Sequence, residues 1–146
     1  SRLGTYGVLG LMLMIALKLT VLTSVASAIL PWCLVAGHCV SRAAMVVVIG
    51  TGTYARSNGS ASGVASAPRR ANILIAVALA LLALVPLALH VSLGSALASI
   101  AGATVLGLAM HQTYQRRLGG YTGDCLGAIQ QVTEVGVYLG MLASLS

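Results

Sequence analysis

The sequence predicts an all-α fold, a polytopic helical membrane protein with about five transmembrane helices, and three observations carry that prediction. Of the 146 residues, 58% are hydrophobic and 7% are charged, whereas a soluble domain carries roughly 25% charged residues. Apolar stretches of about 20 residues, which is the length that spans a bilayer, recur along the whole chain. The period-two alternation that would indicate a β-barrel is absent over useful lengths.

The apolar stretches predict a single transmembrane domain over residues 1–146. We expect its spans at about residues 8–30, 31–53, 71–89, 91–110 and 126–145, each close to the ~20 residues that a crossing requires. The chain starts without an initiator Met, and its first apolar run does not have the pattern of a signal peptide. We therefore expect the chain to be a fragment of a longer protein.

Arginine residues predict how the chain is oriented in the bilayer. Alternating spans place six of them on one side of the membrane: Arg2, Arg56, Arg69, Arg70, Arg116 and Arg117. This positive-inside pattern predicts that the long basic loops are cytoplasmic. The net charge of +6 therefore indicates contact with a lipid bilayer, and we expect no nucleic-acid partner.

Three charged residues fall near the middle of predicted spans, where a charge costs a few kcal/mol or more. They are Lys18 in the first span, Arg42 in the second and Glu134 in the fifth. We predict that Glu134 pairs with Arg42 or Lys18. Such a pair could either fix the order of the helices or line a cavity that opens to the cytoplasm.

Further polar residues share helix faces with these charges. Spacings of three, four and three place four residues on one face of the fifth span: Asp124, Gly127, Gln131 and Glu134. In the second span, His38 lies four residues before Arg42 and shares its face. A lone histidine in a helix is usually a core residue, but the neighbouring arginine makes His38 a candidate for a pocket.

The loop before the fifth span has features that suit a phosphate group. Its candidate residues are Arg116, Arg117, Gly119, Gly120 and Thr122. Guanidinium groups bind phosphate in fork geometry, and adjacent glycines allow a ligand to approach the backbone closely. Thr122 or Asp124 can cap the following helix, whose N-terminus favours an anion. A basic turn followed by a helix cap would explain the same residues without any ligand.

Three blocks of the sequence resemble a known enzyme family. The block RRLGGYTGDCLGAIQQVTE at residues 116–134 resembles the C-terminal signature of the adenosylcobinamide-GDP ribazoletransferases, also called cobalamin-5'-phosphate synthases. The block HCVSRAAMV at residues 38–46, followed by Tyr54, Arg56 and Gly59, resembles their second signature. The opening SRLGTYGVL resembles the segment that follows an acidic block in full-length members. The resemblance is colinear over nearly the whole chain.

The resemblance implies a function and a set of site residues. Family members join GDP-cobinamide to α-ribazole or its phosphate and release GMP, late in the biosynthesis of cobalamin (vitamin B12). The implied catalytic residues are Asp124, His38, Arg42 and Glu134. The implied substrate-binding residues are Arg56, Arg116, Arg117, Gly119, Gly120, Thr122 and Gln131.

The resemblance also implies Mg²⁺ as a cofactor, held by an Asp-rich motif in full-length members. That motif is absent from these residues. We therefore expect the main metal ligands upstream of Ser1, with Asp124 as one further ligand or as a residue that orients the attacking hydroxyl.

Two other functions remain open at this point. In a small-solute or proton-coupled transporter, Lys18, Arg42 and Glu134 would form a relay across the membrane. In a non-catalytic membrane scaffold subunit, the polar residues would be structural only. Substrate-dependent release of GMP separates the enzyme from both alternatives. The sequence leaves open whether the protein forms a homo-oligomer.

Overall fold

The computed structural model describes residues 5–55 and 68–145, and these residues form five helices. The helices are α1 (Thr5–Thr23), α2 (Leu30–Thr51), α3 (Arg70–His90), α4 (Leu93–Leu118) and α5 (Gly123–Ala143). Within the described residues there is no strand beyond one isolated bridge between two tyrosines. The predicted all-α fold class is therefore confirmed.

Three of the helices, α2, α3 and α4, are long and apolar enough to cross a membrane. In α1 the apolar segment Gly7–Thr23 is shorter than a full span. Helix α5 is continuous, but its sequence contains several polar residues among the apolar ones. The chain is thus a polytopic membrane protein, as the composition predicted. That α1 and α5 also cross the bilayer stays a prediction.

The first helix ends at Thr23, although its apolar run continues to about residue 30. Hydroxyl groups at this end form hydrogen bonds with the backbone: Thr23 Oγ1 donates to the carbonyl oxygen of Leu19 at 2.8 Å, and Ser24 Oγ donates to that of Thr20 at 2.8 Å. Such local hydrogen bonds compete with the helical pattern. A cluster of Ser and Thr therefore ends the helix inside the apolar run.

The fourth helix continues to Leu118, although the sequence predicted a loop from Gln112 onward. Its last residues include Gln and Arg, which are strong helix formers even though they are polar. The helix ends at Gly119, which adopts the left-handed conformation with φ 68° and donates its N–H to the carbonyl oxygen of Gln115. Hydropathy therefore identified only the apolar part of α4, which is shorter than the whole helix.

The fifth helix is the central element, because it packs against α4, α2 and α1. The backbones of α4 and α5 are in direct contact, with almost no side chain between them. A Cβ atom added to Gly136 would lie 2.5 Å from the carbonyl oxygen of Gly102. One turn further along, Gly140 packs against the backbone of Ala98. The small residues of α4 and α5 therefore allow the two helix backbones to pack closely.

The loop after α2 and the loop after α4 lie at the same end of the bundle. The Tyr121 N–H donates to the carbonyl oxygen of Thr53 at 2.9 Å, and the Ala55 N–H donates to that of Tyr121 at 2.9 Å. The rings of Tyr54 and Tyr121 meet edge to face with centroids 5.6 Å apart. We call this the loop end of the bundle.

Candidate functional site

A mid-helix ion pair joins α1 to α5. The Lys18 ammonium lies 2.8 Å from Glu134 Oε2, and the two side chains are 17% and 15% exposed. The prediction that Glu134 pairs with one of two cations is confirmed, with Lys18 as the partner. Arg42, the other predicted partner, forms no ion pair with Glu134 among the described residues.

Two further side chains complete this cluster. Lys18 Nζ donates to Gln131 Oε1 at 2.6 Å, and the Tyr138 hydroxyl donates to Glu134 Oε1 at 2.7 Å. The sequence analysis missed Tyr138, although it lies four residues after Glu134 and continues the spacing of the polar stripe. Gly37 makes room for the ring, since a Cβ atom there would lie 2.5 Å from Tyr138 Cε1.

An open cleft of about 430 Å³ lies between α2 and α5, next to the ion pair. Its lining residues are Leu34, Val35, His38, Cys39, Glu134 and Tyr138. The cleft brings together His38 and Glu134, which the sequence placed in one pocket. Apolar side chains with an imidazole, a phenol and a carboxylate suit a small, largely uncharged organic molecule that carries hydroxyl groups.

Arg42 lies one helical turn from His38, and both line a second cavity of about 190 Å³ between α2 and α3. The Arg42 side chain is exposed, and within the described residues it makes no ion pair. Since Lys18 neutralises Glu134, the charge of Arg42 stays available for an anionic ligand.

Together these residues form what we call the polar face of the bundle: Lys18, His38, Arg42, Gln131 and Glu134. Three of them, His38, Arg42 and Gln131, are exposed near the middle of their helices. Hydrocarbon is an unfavourable environment for such groups. The polar face therefore meets water or further protein, and not the acyl chains of the bilayer.

A second group of candidate residues lies at the loop end. Arg116 and Arg117 are exposed in the last turn of α4. Thr122, one of the two predicted caps, caps α5: its hydroxyl accepts a hydrogen bond from the Cys125 N–H at 3.4 Å. Asp124 is exposed in the first turn of α5. It precedes Glu134 by ten residues, or about 15 Å of helix, so the loop group and the cleft are separate.

The paired glycines of the loop have structural roles. The Gly119 N–H, which we expected to face a ligand, is used in ending α4, and Gly119 needs its positive φ for the same purpose. Gly120 is buried against the Thr53 backbone, where a Cβ atom would clash. Burial and the neighbouring Tyr54 raise the pKa of Tyr121, which keeps this contact uncharged. Binding of substrate by Gly119 or Gly120 stays a prediction.

Comparison with known proteins decides the family. The chain matches the family model CobS, described as cobalamin-5-phosphate synthase, over residues 1–142. The chain belongs to the CobS family. The resemblance seen in the three sequence blocks is therefore confirmed.

Relatives of this CobS chain carry the name adenosylcobinamide-GDP ribazoletransferase. The Leptothrix cholodnii protein is 39% identical over 153 residues, the Shewanella woodyi protein 35% over 146 and the Bradyrhizobium diazoefficiens protein 34% over 143. These matches cover 98%, 97% and 95% of this chain but 56%, 56% and 52% of the relatives. The CobS chain thus spans about half the length of the curated relatives it matches. No solved structure matches it.

The described part of this CobS chain does not fit a magnesium ion. No group of three or more His, Cys, Asp or Glu side chains in residues 5–55 and 68–145 could hold a metal. Asp124 stands far from Glu134, whose oxygens bind Lys18 and Tyr138. Arg56 and Arg2 lie outside the described residues, and so the predicted substrate contact of Arg56 has no structural counterpart here.

Proposed function

We propose that this chain forms part of an adenosylcobinamide-GDP ribazoletransferase, which joins GDP-cobinamide to α-ribazole or its phosphate and releases GMP. The observation that carries the proposal is the match to the CobS family over residues 1–142. Relatives with that name match almost the whole of this chain. The polar face supplies a location for the substrates within the chain.

The proposed reaction is a phosphoryl transfer. A ribose hydroxyl oxygen of α-ribazole forms a new bond to the phosphorus that is attached to cobinamide. The phosphoanhydride bond on the other side of that phosphorus breaks, GMP leaves with the bridging oxygen, and the hydroxyl proton passes to a base. Catalysis of such a transfer depends mainly on positioning and on neutralising phosphate charge.

The arrangement of charge suggests how the two substrates divide the site. Arg42, Arg116 and Arg117 have no acidic partner among the described residues, so we assign them to the phosphates of GDP-cobinamide. The cleft beside His38 and Glu134 carries few charges and suits the neutral ribazole. His38 then accepts the hydroxyl proton, while Glu134 keeps Lys18 in place.

Several residues take supporting roles in this proposal. Thr122 fixes the start of α5 and thereby the position of Asp124, which would orient the donor at the loop end. Gln131 holds the Lys18 ammonium beside the cleft, and Arg56 would add a further phosphate contact.

We include Mg²⁺ in the proposal as a cofactor whose ligands are not provided by the described residues alone. It would neutralise phosphate charge, and we assign none of the steps above to a metal held by this chain. Its presence can be tested by comparing transfer with and without EDTA.

The proposed location is the bacterial inner membrane, with the loop end and its arginines in the cytoplasm. The basic residues at that end, Arg69, Arg70, Arg116 and Arg117, support this orientation. Soluble nucleotide substrates would reach the polar face from the same side. Whether copies of the chain associate is a separate question for cross-linking in liposomes.

The test measures GMP release in liposomes with Mg²⁺, GDP-cobinamide and α-ribazole. It compares this chain with a chimera that adds the part of the Shewanella woodyi relative outside the match. Release by the chimera but not by an Arg42→Gln chimera would support the proposal, with Val105→Leu on the outer surface of α4 as the control. No release by any form, or uptake of ribazole without GMP, would favour a scaffold or a transporter.

A further inference from the structure

An apolar groove between α2 and α4 has no role in the proposed reaction. It consists of two adjoining cavities of about 210 Å³ each. Both are lined by the same four residues of α2 and α4: Ala44, Val47, Ala103 and Thr104. The cavity nearer the middle of the helices also touches α3, whereas the lining of the cavity nearer the loop end contains no residue of α3. The groove therefore opens between α3 and α4.

The length of the groove matches one half of a bilayer. Along α2 its lining runs from Val40 to Thr51, and along α4 from Ile100 to His111. Each wall thus covers eleven residue steps, or about 16 Å of helix. The hydrocarbon core of a bilayer is about 30 Å thick, and so the groove spans the depth of one leaflet.

The polarity of the groove changes along the helices. The end near the middle of the helices is lined by Leu84 and Ile100, while the end near the loops, which we call the mouth, carries Thr51 and His111. The helices that flank the mouth carry four exposed arginines at their loop-side ends: Arg69, Arg70, Arg116 and Arg117. An occupant with an apolar tail and an anionic head fits this gradient.

A helix does not fit the groove as well as a single chain does. A helix with its side chains is about 10–12 Å across, whereas α2 and α4 are still in contact and α5 also lines the groove with Thr133 and Ile129. Leu108, which lines the groove, is exposed, as is Val105 on the outer surface of α4, so the groove is open toward the hydrocarbon of the membrane.

We infer that the groove between α3 and α4 binds one acyl chain of an anionic phospholipid, whose phosphate lies beside Arg69 and Arg70 at the start of α3. The bound lipid fills the space under Thr104 and Ala44, and the phosphate interacts with groups that the bundle itself does not neutralise. The groove shares no lining residue with the cleft beside His38 and Glu134, and it shares Ala43 alone with the cavity that Arg42 lines.

Electron paramagnetic resonance of spin-labelled phospholipids tests the inference in vesicles that contain the chain. Phosphatidylglycerol with a nitroxide on its acyl chain should show an immobilised component, with a preference of about fivefold over phosphatidylcholine, the effect of one arginine near an anionic surface. Ala44→Phe and Thr104→Phe should each remove that component. The matched control, Val105→Phe, adds the same ring on the outer surface of α4 and should leave it unchanged.

Either of two results would overturn the inference. One is an immobilised component that is equal for both lipids or unaffected by Ala44→Phe and Thr104→Phe, when circular dichroism shows that these variants keep their helices. The other is loss of the component in the chimera, or cross-linking between copies at the groove, which would show that protein covers it.

Discussion

The polar face and the outer surface of α3 and α4 differ in the relation between hydropathy and burial. Helix α3 has the highest mean hydropathy of the candidate spans, 2.7, yet 17% of its most apolar window is buried. Helix α5 does not reach the hydropathy of a span, yet it carries buried residues along most of its length. In a soluble protein the most apolar helix would be the most buried. In this bundle the more polar helix is the more buried one, and it also carries part of the polar face.

The two regions also differ in what holds them together. The polar face relies on specific hydrogen bonds around Glu134, which only one geometry satisfies. The outer helices rely on contact with lipid, which any apolar side chain can provide. Substitutions that remove a hydrogen-bonding group should therefore have large effects on the polar face, whereas exchange of one apolar side chain for another should have small effects on the outer surface.

Removing one member of the central ion pair should give the largest effect. Glu134→Gln leaves the partly buried Lys18 ammonium without its counter-charge, which should lower the free energy of unfolding by about 3 kcal/mol, the lower end of the range for buried pairs, because both side chains keep some exposure. The double variant Lys18→Met, Glu134→Gln should recover most of this loss. SDS titration in mixed micelles measures the difference. If the single variant is as stable as the parent, water already solvates the pair and the polar face is more open than the structure shows.

The same acidic side chain placed on each region should distinguish them directly. Val105→Glu puts a carboxylate on the outer surface of α4 and should cost on the order of 3 kcal/mol in a bilayer. Gln131→Glu puts it beside the Lys18 ammonium, which lies 2.6 Å from the present amide oxygen, and should cost much less. The folded fraction in lipid nanodiscs compares the two. Equal losses would mean that the two surfaces meet similar surroundings.

Replacement of two glycines on α5 by alanine should change the stability by smaller amounts, and in opposite directions. Gly136→Ala forces apart the backbones of α4 and α5, which should cost about 1–3 kcal/mol. Gly127→Ala meets no atom within 4 Å and should stabilise the helix by up to about 1 kcal/mol. Thermal unfolding in detergent measures both changes. A loss of GMP release in the stabilised Gly127 variant of the chimera would indicate that substrate contacts this position.

The sequence predicted the fold class, the five helices and the pairing of Glu134, because these follow from hydropathy and from the cost of a buried charge. It did not predict which cation Glu134 binds, since Lys18 and Arg42 lie at similar depth and only the packing of α1 against α5 selects between them. The predicted end of the fourth helix was wrong because polar residues that favour helix continue α4 beyond its apolar part. The structural use of Gly120 depends on Thr53, which is distant in sequence.

The unequal burial of the three cysteines has a practical consequence. Cys33 and Cys125 are buried, whereas Cys39 is partly accessible and lines the cleft beside His38. A maleimide dye should thus react first at a thiol that the natural chain already places at the candidate site. Protection of that thiol by a bound molecule would provide a readout of occupancy in an unmutated protein, with the two slower thiols as an internal reference.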